Sequence, residues 1–295
     1  MGFCLCWMVM SYFVLTRPGQ WIKNILVFAP IFFIGRAGNY EDMRAVFFTF
    51  LVFTLFSVAA YIINDIIDRD DDALHPVKRF RPIASGVISP ARAAVFAAVI
   101  FSCAVWIMMR FIPSIMHSMV AYAFLTAFYT FYLKRIPLVD IVTVTSFYLL
   151  RVAAGGSAIH IIPSRWLVAC VMFLALFIVL GKRRAECAHS ASAIRPALTL
   201  YASEPYGMRE MLDHLLPVAA AATISSYGAY TILAVHSDLA VYSLFFVIFG
   251  IFRYFFLIYR SAFAESAEIA LTKDMPLLFS VCGWGIFMYI VVYHL

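Results

Sequence analysis

The sequence predicts an all-α protein that crosses a membrane several times. Of its 295 residues, 64% are hydrophobic and only 13% are charged, whereas soluble domains are about half apolar and about a quarter charged. With so few polar groups, most of the helix surface must face lipid or other helices. The length leaves room for one membrane domain, residues 1–295, and for no second soluble one.

About nine apolar stretches are long enough to span a bilayer, for which roughly 20 residues are needed. The second ends where acidic residues begin, and the sixth ends at a run of three basic residues. The apolar N-terminus has no basic region and no small-residue cleavage site, so we expect an uncleaved leader to the first helix. The predicted spans are Trp21–Gly35, Ala45–Ile63, Ala91–Phe111, Ser114–Leu133, Pro137–Ile159, Trp166–Leu180, Met211–Ala234, Leu239–Tyr259 and Met275–Val292.

The basic residues predict the orientation, because loops on the cytoplasmic side are enriched in Lys and Arg. With the N-terminus in the cytoplasm of a bacterium, 17 of the 22 Lys and Arg residues fall on that side of the inner membrane and one, Arg151, lies within a span. The opposite side holds only Arg36, Arg44, Arg110 and Arg165. The net charge of +6 therefore lies where it can meet anionic headgroups or anionic substrates.

Composition also argues against two other roles. The six cysteines lie mostly inside apolar runs without zinc spacing, so we expect apolar fillers rather than disulfides or metal ligands. Nucleic acid is a poor partner, because the chain has no soluble basic module to hold it.

An acidic segment follows the second span. Asn64, Asp68 and Asp72 are four residues apart, and Asp65 is three before Asp68, so all four fall on one helical stripe. Carboxylates crowded on one stripe repel each other unless a cation neutralises them. Hard oxygen donors select Mg²⁺, whose shell is commonly completed by the phosphates of a substrate.

Cations follow the acidic stripe directly. Lys78, Arg79 and Arg81 are suited to bind the same phosphates. A charge run alone usually marks a solvated loop, and we expect this for Asp70 and Asp71, which lie off the stripe. For the stripe itself, its helical spacing and the basic residues behind it favour a metal–phosphate site.

Further polar residues predict substrate contacts on the same side of the membrane as the acidic stripe. Four of them open the first span within eight residues, which exceeds the needs of an interfacial anchor. Arg151 lies inside the fifth span, where a charged side chain is costly and faces a cavity or a partner. It either binds phosphate or forms a structural pair, and Lys134 is either a substrate contact or a topology signal. The four residues at the cytoplasmic opening of the first helix are Arg17, Gln20, Lys23 and Asn24.

The acidic stripe resembles the Asn-Asp-x-x-Asp-x-x-x-Asp signature of the UbiA-type intramembrane prenyltransferase superfamily. The resemblance implies a nine-helix bundle whose cytoplasmic-side cavity holds a phosphorylated substrate with Mg²⁺. In this chain we assign the metal to Asn64, Asp65, Asp68 and Asp72, and a catalytic role to the three aspartates among them.

The connection after the sixth span departs from the common pattern of that superfamily. It is basic, with Lys182, Arg183 and Arg184 followed by Tyr201, where the common pattern is acidic. A basic loop facing an acidic one suits a heavily phosphorylated donor, or two anionic substrates.

The chain looks like a divergent branch of the superfamily, the decaprenyl-phosphate phosphoribosyltransferases. The matching segments are Arg17–Asn24, Tyr61–Gly86, Tyr132–Lys134, Asp140, Leu150–Gly156, Gly181–Glu186, Arg253-Tyr254 and Asp274–Pro276.

This resemblance implies transfer of 5-phosphoribose from phosphoribosyl pyrophosphate (PRPP) to a polyprenyl phosphate, for arabinose donors of the cell envelope. We expect the metal on the pyrophosphate leaving group, with Lys78, Arg79 and Arg81 clamping the donor. Lys182, Arg183 and Arg184 are expected to close from the facing loop, and Tyr201 is expected to contact substrate. The acceptor is an oxyanion and needs no general base, which agrees with the lack of a Ser/His/Asp or Cys/His arrangement.

Two alternatives stay open at this point. An aromatic prenyltransferase, such as one acting on 4-hydroxybenzoate, predicts a second carboxylate pair after the sixth helix. A transporter or lipid-binding scaffold predicts ionisable residues at mid-membrane depth in several helices, and internal repeats. The prenyl chain length and the oligomeric state, including a homo-oligomer, are also open.

Overall fold

The computed structural model describes residues 10–74, 78–189, 207–235, 237–260 and 267–294, and all regular structure in these ranges is helical. Short 3-10 segments link or precede the longer helices at Pro18–Phe28, Lys78–Phe80, Pro113–Ile115, Leu133–Arg135 and Asp238–Ser243. The α-helices are α1 (Ala29–Phe33), α2 (Tyr40–Ile67), α3 (Arg69–Leu74), α4 (Pro90–Phe111), α5 (Met116–Phe131), α6 (Val139–Ala158), α7 (Arg165–His189), α8 (Met208–Leu233), α9 (Leu244–Arg260), α10 (Ala267–Lys273) and α11 (Met275–Tyr293).

Seven helices in the described ranges are long and apolar enough to cross a membrane. They correspond to seven of the nine predicted spans. The first predicted span instead forms a 3-10 segment followed by α1, and the fourth forms α5, which has 16 residues. Large side chains on the outside of the bundle, such as Phe124, Phe245 and Phe279, are exposed, as expected where lipid is the solvent.

The 3-10 segment Pro18–Phe28 replaces an ordinary first span. Its 11 residues exceed the three or four typical of 3-10 helices. It packs closely on α6 at Gly155, where an added Cβ would lie 2.0 Å from the Val27 carbonyl oxygen. Only glycine permits this approach, which brings Asn24 on the segment against Arg151 on α6.

Helix α2 carries the acidic stripe to its end. The helix starts after Asn39, whose side chain accepts a hydrogen bond from the Asp42 amide. It ends at Ile67, but the helical hydrogen bonding continues, since Asp68 N donates to Asn64 O and Asp72 N donates to Asp68 O, both at 2.8 Å. The helical spacing expected for the stripe is therefore present.

Helix α7 extends further than the sequence analysis predicted. Lys182, Arg183 and Arg184 were expected to begin a loop, yet they lie within α7, which continues to His189. The prediction of a loop at these three residues is wrong, because Arg183 and Arg184 find carboxylate partners on neighbouring helices and so need no solvent. Tyr201 lies outside the described residues.

Candidate functional site

The acidic cluster, defined as Asn64, Asp65, Asp68 and Asp72, lies at the end of α2 and in α3. The side chains of Asp65 and Asp72 are each only 5% exposed, while that of Asp68 is 36% exposed. Buried carboxylates require cationic or hydrogen-bonding partners, since burying an unpaired charge is costly. The surroundings of this cluster meet that requirement.

Each carboxylate of the acidic cluster contacts a cation. Arg81 Nη1 lies 3.0 Å from Asp65 Oδ1 and 2.5 Å from Asp72 Oδ2, so one guanidinium joins two carboxylates. Arg17 also pairs with Asp65. Lys134 Nζ lies 2.9 Å from Asp68 Oδ1. Thus three residues that were predicted from separate parts of the sequence meet the acidic cluster.

Two side chains that the sequence analysis did not single out support this cluster. Thr130 on α5 donates to Asn64 Oδ1 at 2.8 Å, and the Tyr61 ring lies 5.2 Å from the Arg17 guanidinium carbon. The sequence did not indicate the role of Thr130, because this residue lies in an apolar stretch and its contact with Asn64 depends on how α5 packs against α2.

The remaining residues of the basic run lie at the margin of the cluster. Lys78 Nζ is 3.9 Å from Asp72 Oδ1, and Arg79 is exposed, with its guanidinium 4.8 Å from the Phe80 ring. Asp70 and Asp71 are exposed, as their positions off the stripe predict.

Arg151 is buried within the bundle and makes three hydrogen bonds to neutral groups. Its Nε donates to Asn24 Oδ1 at 2.7 Å, its Nη1 to the Phe147 carbonyl at 2.7 Å and its Nη2 to the Tyr122 hydroxyl at 3.3 Å. Asn24 in turn donates to Thr54 Oγ1 at 3.1 Å. This network is the structural pairing that the sequence could not identify, and it joins the 3-10 segment to α2, α5 and α6.

Lys23 and Gln20 lie in a second polar group. Lys23 Nζ is 2.6 Å from Gln20 Oε1 and 2.7 Å from Glu268 Oε1 on α10. Sequence analysis missed Glu268 because its partner is more than 240 positions away and no motif links the two.

Two basic residues of α7, Arg183 and Arg184, pair with carboxylates outside the acidic cluster. Arg183 pairs with Asp140 Oδ2 at 2.7 Å and with Glu186 Oε2 at 2.6 Å. Arg184 Nε lies 2.9 Å from Asp213 Oδ1. Both arginines are buried, and these ion pairs tie α7 to α6 and α8. Lys182 lies beside them on α7, half-buried.

Asp274 has a structural role at the start of α11. It accepts a hydrogen bond from the Leu277 amide at 2.9 Å and a bidentate pair from Arg253, with Nη2 at 2.8 Å and Nε at 3.0 Å. The hydrogen bonds from Arg253 hold the pKa of Asp274 below its usual range. Asp274 thus caps α11 and joins it to α9 through its ion pair with Arg253.

The acidic cluster fits Mg²⁺ by the chemistry of its donors. It offers carboxylate and amide oxygens. The positive charge of the Arg81 guanidinium already holds the Asp65 and Asp72 carboxylates close together. Among the described residues no three Asp, Glu, His or Cys side chains converge closely enough to bind an ion alone. Mg²⁺ would therefore need oxygen atoms from a bound phosphate group, which is its common mode of binding.

A family model described as the UbiA prenyltransferase family matches residues 25–279. The chain belongs to this family. Solved structures agree with the fold: a UbiA homologue from Archaeoglobus fulgidus bound to GPP and Mg²⁺ matches with a TM-score of 0.72 and 19% identity, over 96% of this chain and 99% of that one. This UbiA-family protein is therefore a multi-pass membrane protein.

Curated relatives within the UbiA family are more similar in sequence. A decaprenyl-phosphate phosphoribosyltransferase from Mycobacterium tuberculosis (strain ATCC 25618 / H37Rv) is 36% identical over 221 residues, which is 72% of this chain and 71% of that protein. One from Mycolicibacterium smegmatis is 35% identical, over 73% of this chain and 68% of that protein.

Proposed function

We propose that this protein transfers 5-phosphoribose from PRPP to decaprenyl phosphate and releases pyrophosphate. The observation that carries the proposal is the acidic cluster with a cation on every carboxylate, at one end of a membrane bundle. The similarity to enzymes named decaprenyl-phosphate phosphoribosyltransferase supports this choice of substrates. The product would serve as a precursor of arabinose donors for the cell envelope.

The cations of the cluster change partners in this proposal. In the structure, Arg17, Arg81 and Lys134 neutralise the carboxylates of the acidic cluster. When the pyrophosphate of PRPP binds, these cations and Lys78 contact its oxygens, since Arg and Lys bind phosphate strongly. Asn64, Asp65, Asp68 and Asp72 would hold Mg²⁺, which would supply positive charge to the leaving group. A solved UbiA homologue of the same fold, with GPP and Mg²⁺ bound, supports a role for this metal.

The transfer itself replaces one C–O bond by another. The bond between ribose C1 and the pyrophosphate oxygen breaks, and an oxygen of decaprenyl phosphate bonds to C1. The acceptor oxygen is already anionic, so no side chain has to remove a proton. A single displacement inverts the anomeric centre, by analogy with other single-step glycosyl transfers.

We assign Arg183 and Arg184 a structural role, in place of the substrate-binding role that the sequence analysis expected. Because both are buried in ion pairs, we propose that they fix α7 against α6 and α8. Lys182 and Tyr201 stay proposed substrate contacts, as does Arg79. The excess of Lys and Arg residues on one predicted side of the membrane supports an active site on the cytoplasmic face of a bacterial inner membrane.

The test uses the purified protein in detergent with Mg²⁺, radiolabelled PRPP and decaprenyl phosphate. We expect label to move into the organic phase. A parallel reaction contains a prenyl diphosphate and 4-hydroxybenzoate, on which we expect no turnover. Product only in the second reaction would contradict the proposal and favour an aromatic prenyltransferase.

A further inference from the structure

Lys134 reaches the acidic cluster from a connection that the hydrophobic core does not hold. This connection, residues 132–138, joins α5 to α6, and none of its residues is buried. The Lys134 Nζ nevertheless lies 2.9 Å from Asp68 Oδ1. One ion pair of a flexible lysine contributes little against the entropy cost of ordering the side chain and the backbone. Other contacts must therefore hold the connection in place.

The backbone at the end of this connection is strained. Leu138 has φ 60° and ψ −41°, and Val139 N donates to Pro137 O at 2.7 Å. Together these features form a γ-turn of the rare type with positive φ. Such a conformation persists where the surrounding structure enforces it. The Leu138 side chain is 43% exposed, so the enforcing contacts come from the chain on either side of the turn.

One buried guanidinium contacts the chain on both sides of the connection. Arg183 Nη2 on α7 lies 2.7 Å from Asp140 Oδ2, after the connection, and donates to the Tyr129 hydroxyl, before it, at 3.4 Å. The Arg183 and Asp140 side chains are only 7% and 11% exposed, so salt screens this ion pair little. Glu186 Oε2 holds the other terminal nitrogen, Nη1, at 2.6 Å. The guanidinium is therefore fixed on α7 and anchors both ends of the connection.

The anchored stretch of chain meets the acidic cluster at two points. Thr130, near the end of α5, donates to Asn64 Oδ1 at 2.8 Å, and Lys134 pairs with Asp68. Along the chain, the two contacts with Arg183 enclose these two contacts with the acidic cluster. A change at the Arg183 anchor can therefore move the groups that neutralise and orient the cluster.

We propose that Asp140 is a positioning residue, which acts through its ion pair with Arg183 to hold Lys134 at the acidic cluster. The inference rests on the proposed function, in which Lys134 contacts the pyrophosphate of PRPP. Asp140 itself needs no contact with the substrate. The inference goes beyond the fixing of α7 against α6, because it makes the rate of transfer depend on this ion pair through Lys134.

An ion pair that only joins α6 to α7 makes different predictions. Breaking it would lower stability, and it would lower transfer by the same factor whether or not Lys134 is present. A positioning residue instead loses its effect on transfer once Lys134 is removed, because residues that act together are non-additive. The position of the connection relative to Asp68 should also change.

The first experiment measures cross-linking between Asp68→Cys and Lys134→Cys in the full protein, in a background without native cysteines and without substrates. A bis-methanethiosulfonate with an ethane spacer joins the two thiols, and mass spectrometry of the linked peptides gives the rate. The two substitutions remove the Lys134–Asp68 ion pair, so the position of the connection depends more strongly on the Arg183 anchor. Asp140→Asn is added to this background. Asp213→Asn is the matched control, since it breaks the ion pair of the neighbouring Arg184.

We expect Asp140→Asn to slow cross-linking at least about threefold, since loss of a charged hydrogen bond shifts a local equilibrium by about tenfold or more. Asp213→Asn should leave the rate unchanged. Asn is nearly isosteric with Asp and Glu186 still neutralises Arg183, so Asp140→Asn should fold. Tyr129→Phe removes one hydroxyl and no charge, and it should slow cross-linking about twofold, which provides the test if Asp140→Asn does not fold.

The second experiment measures phosphoribosyl transfer with Asp140→Asn in two backgrounds. In the wild-type background we expect transfer to fall at least about threefold, as Lys134 leaves the cluster. In the Lys134→Met background we expect a further loss of less than about twofold, because the residue through which Asp140 acts is gone.

Unchanged cross-linking in Asp140→Asn and Tyr129→Phe, or an equal slowing in Asp213→Asn, would overturn the inference. Equal losses of transfer in the two backgrounds would overturn it as well. Cross-linking requires no turnover, so the two proposals fail separately. If cross-linking slows as expected but the wild type forms no product, the proposed function fails and the positioning of Lys134 stands. If the wild type transfers phosphoribose and cross-linking is unchanged, only the positioning role fails.

Discussion

Arg81 links the two most buried carboxylates of the acidic cluster. One nitrogen of its guanidinium lies within hydrogen-bonding distance of both Asp65 and Asp72. Without Arg81, the repulsion between the Asp65 and Asp72 carboxylates would be less fully neutralised. A bound pyrophosphate would also lose one cationic contact. The effect of this side chain should therefore appear in both stability and activity.

We expect Arg81→Ala to lower phosphoribosyl transfer at least about tenfold, since one charged hydrogen bond contributes roughly 1.5–3 kcal/mol. Arg69→Ala is the control, because Arg69 is an exposed arginine on the neighbouring helix α3. Initial rates at saturating decaprenyl phosphate measure the effect. Equal rates for the two variants would contradict the role assigned to Arg81.

Asp274 gives a prediction about pH. Its pKa is lowered by the hydrogen bonds from Arg253, so its charged form is favoured in the folded state. The stabilisation is present above the ordinary carboxyl pKa of about 4 and is lost as the pH falls through the lower folded value. Asn can still cap α11 but carries no charge.

We therefore expect Asp274→Asn to lower the Tm at pH 7 and to lower it less at pH 3.5. Thermal unfolding in detergent at both pH values measures the difference. A Tm difference that grows on acidification would show that the charge of Asp274 does not stabilise the fold.

At the scale of elements, the 3-10 segment Pro18–Phe28 positions most of the polar groups of the first predicted span. Its close packing at Gly155 brings Asn24 to Arg151. The sequence indicated polar residues at the start of this span but not its 3-10 geometry, because the tight contact with α6 is a tertiary effect. Likewise, α7 extends through Lys182–Arg184 since its arginines find carboxylates on α6 and α8.

We expect Gly155→Ala to destabilise the protein by about 3 kcal/mol, the upper end of the usual cost of overpacking, because the added Cβ would lie 2.0 Å from a backbone oxygen. Gly285→Ala on α11 is the matched control, since nothing lies within 4 Å of a Cβ there. Thermal unfolding compares the two. Equal stabilities would show that the 3-10 segment does not pack as closely as described.

At the scale of the whole molecule, the composition and the acidic stripe were enough to predict a helical membrane protein with the UbiA family fold. The helical spacing of Asp65, Asp68 and Asp72 followed from their positions in the chain. The pairing of Lys23 with Glu268 and of Asn64 with Thr130 could not be predicted. Such contacts depend on which helices become neighbours, and one sequence does not encode this in a local pattern.

The predicted orientation can be tested at the two ends of α2. Its 28 residues span about 42 Å at 1.5 Å per residue, so Glu41 and Asp70 lie on opposite sides of a bilayer. In a background without native cysteines, we expect a membrane-impermeant maleimide to label Glu41→Cys but not Asp70→Cys in spheroplasts. The reverse pattern would place the acidic cluster outside the cytoplasm.

The most direct test of the central claim compares Asp68→Asn with Asp70→Asn in the transfer of radiolabelled phosphoribose to decaprenyl phosphate. Asp68 is part of the acidic cluster and pairs with Lys134, whereas Asp70 is exposed beside it. We expect transfer to require Mg²⁺, to fall at least about 100-fold in Asp68→Asn, as when a group that stabilises transition-state charge is removed, and to persist in Asp70→Asn. Transfer that survives Asp68→Asn, or that proceeds equally well in EDTA, would contradict the claim that this acidic cluster binds the metal and carries the reaction.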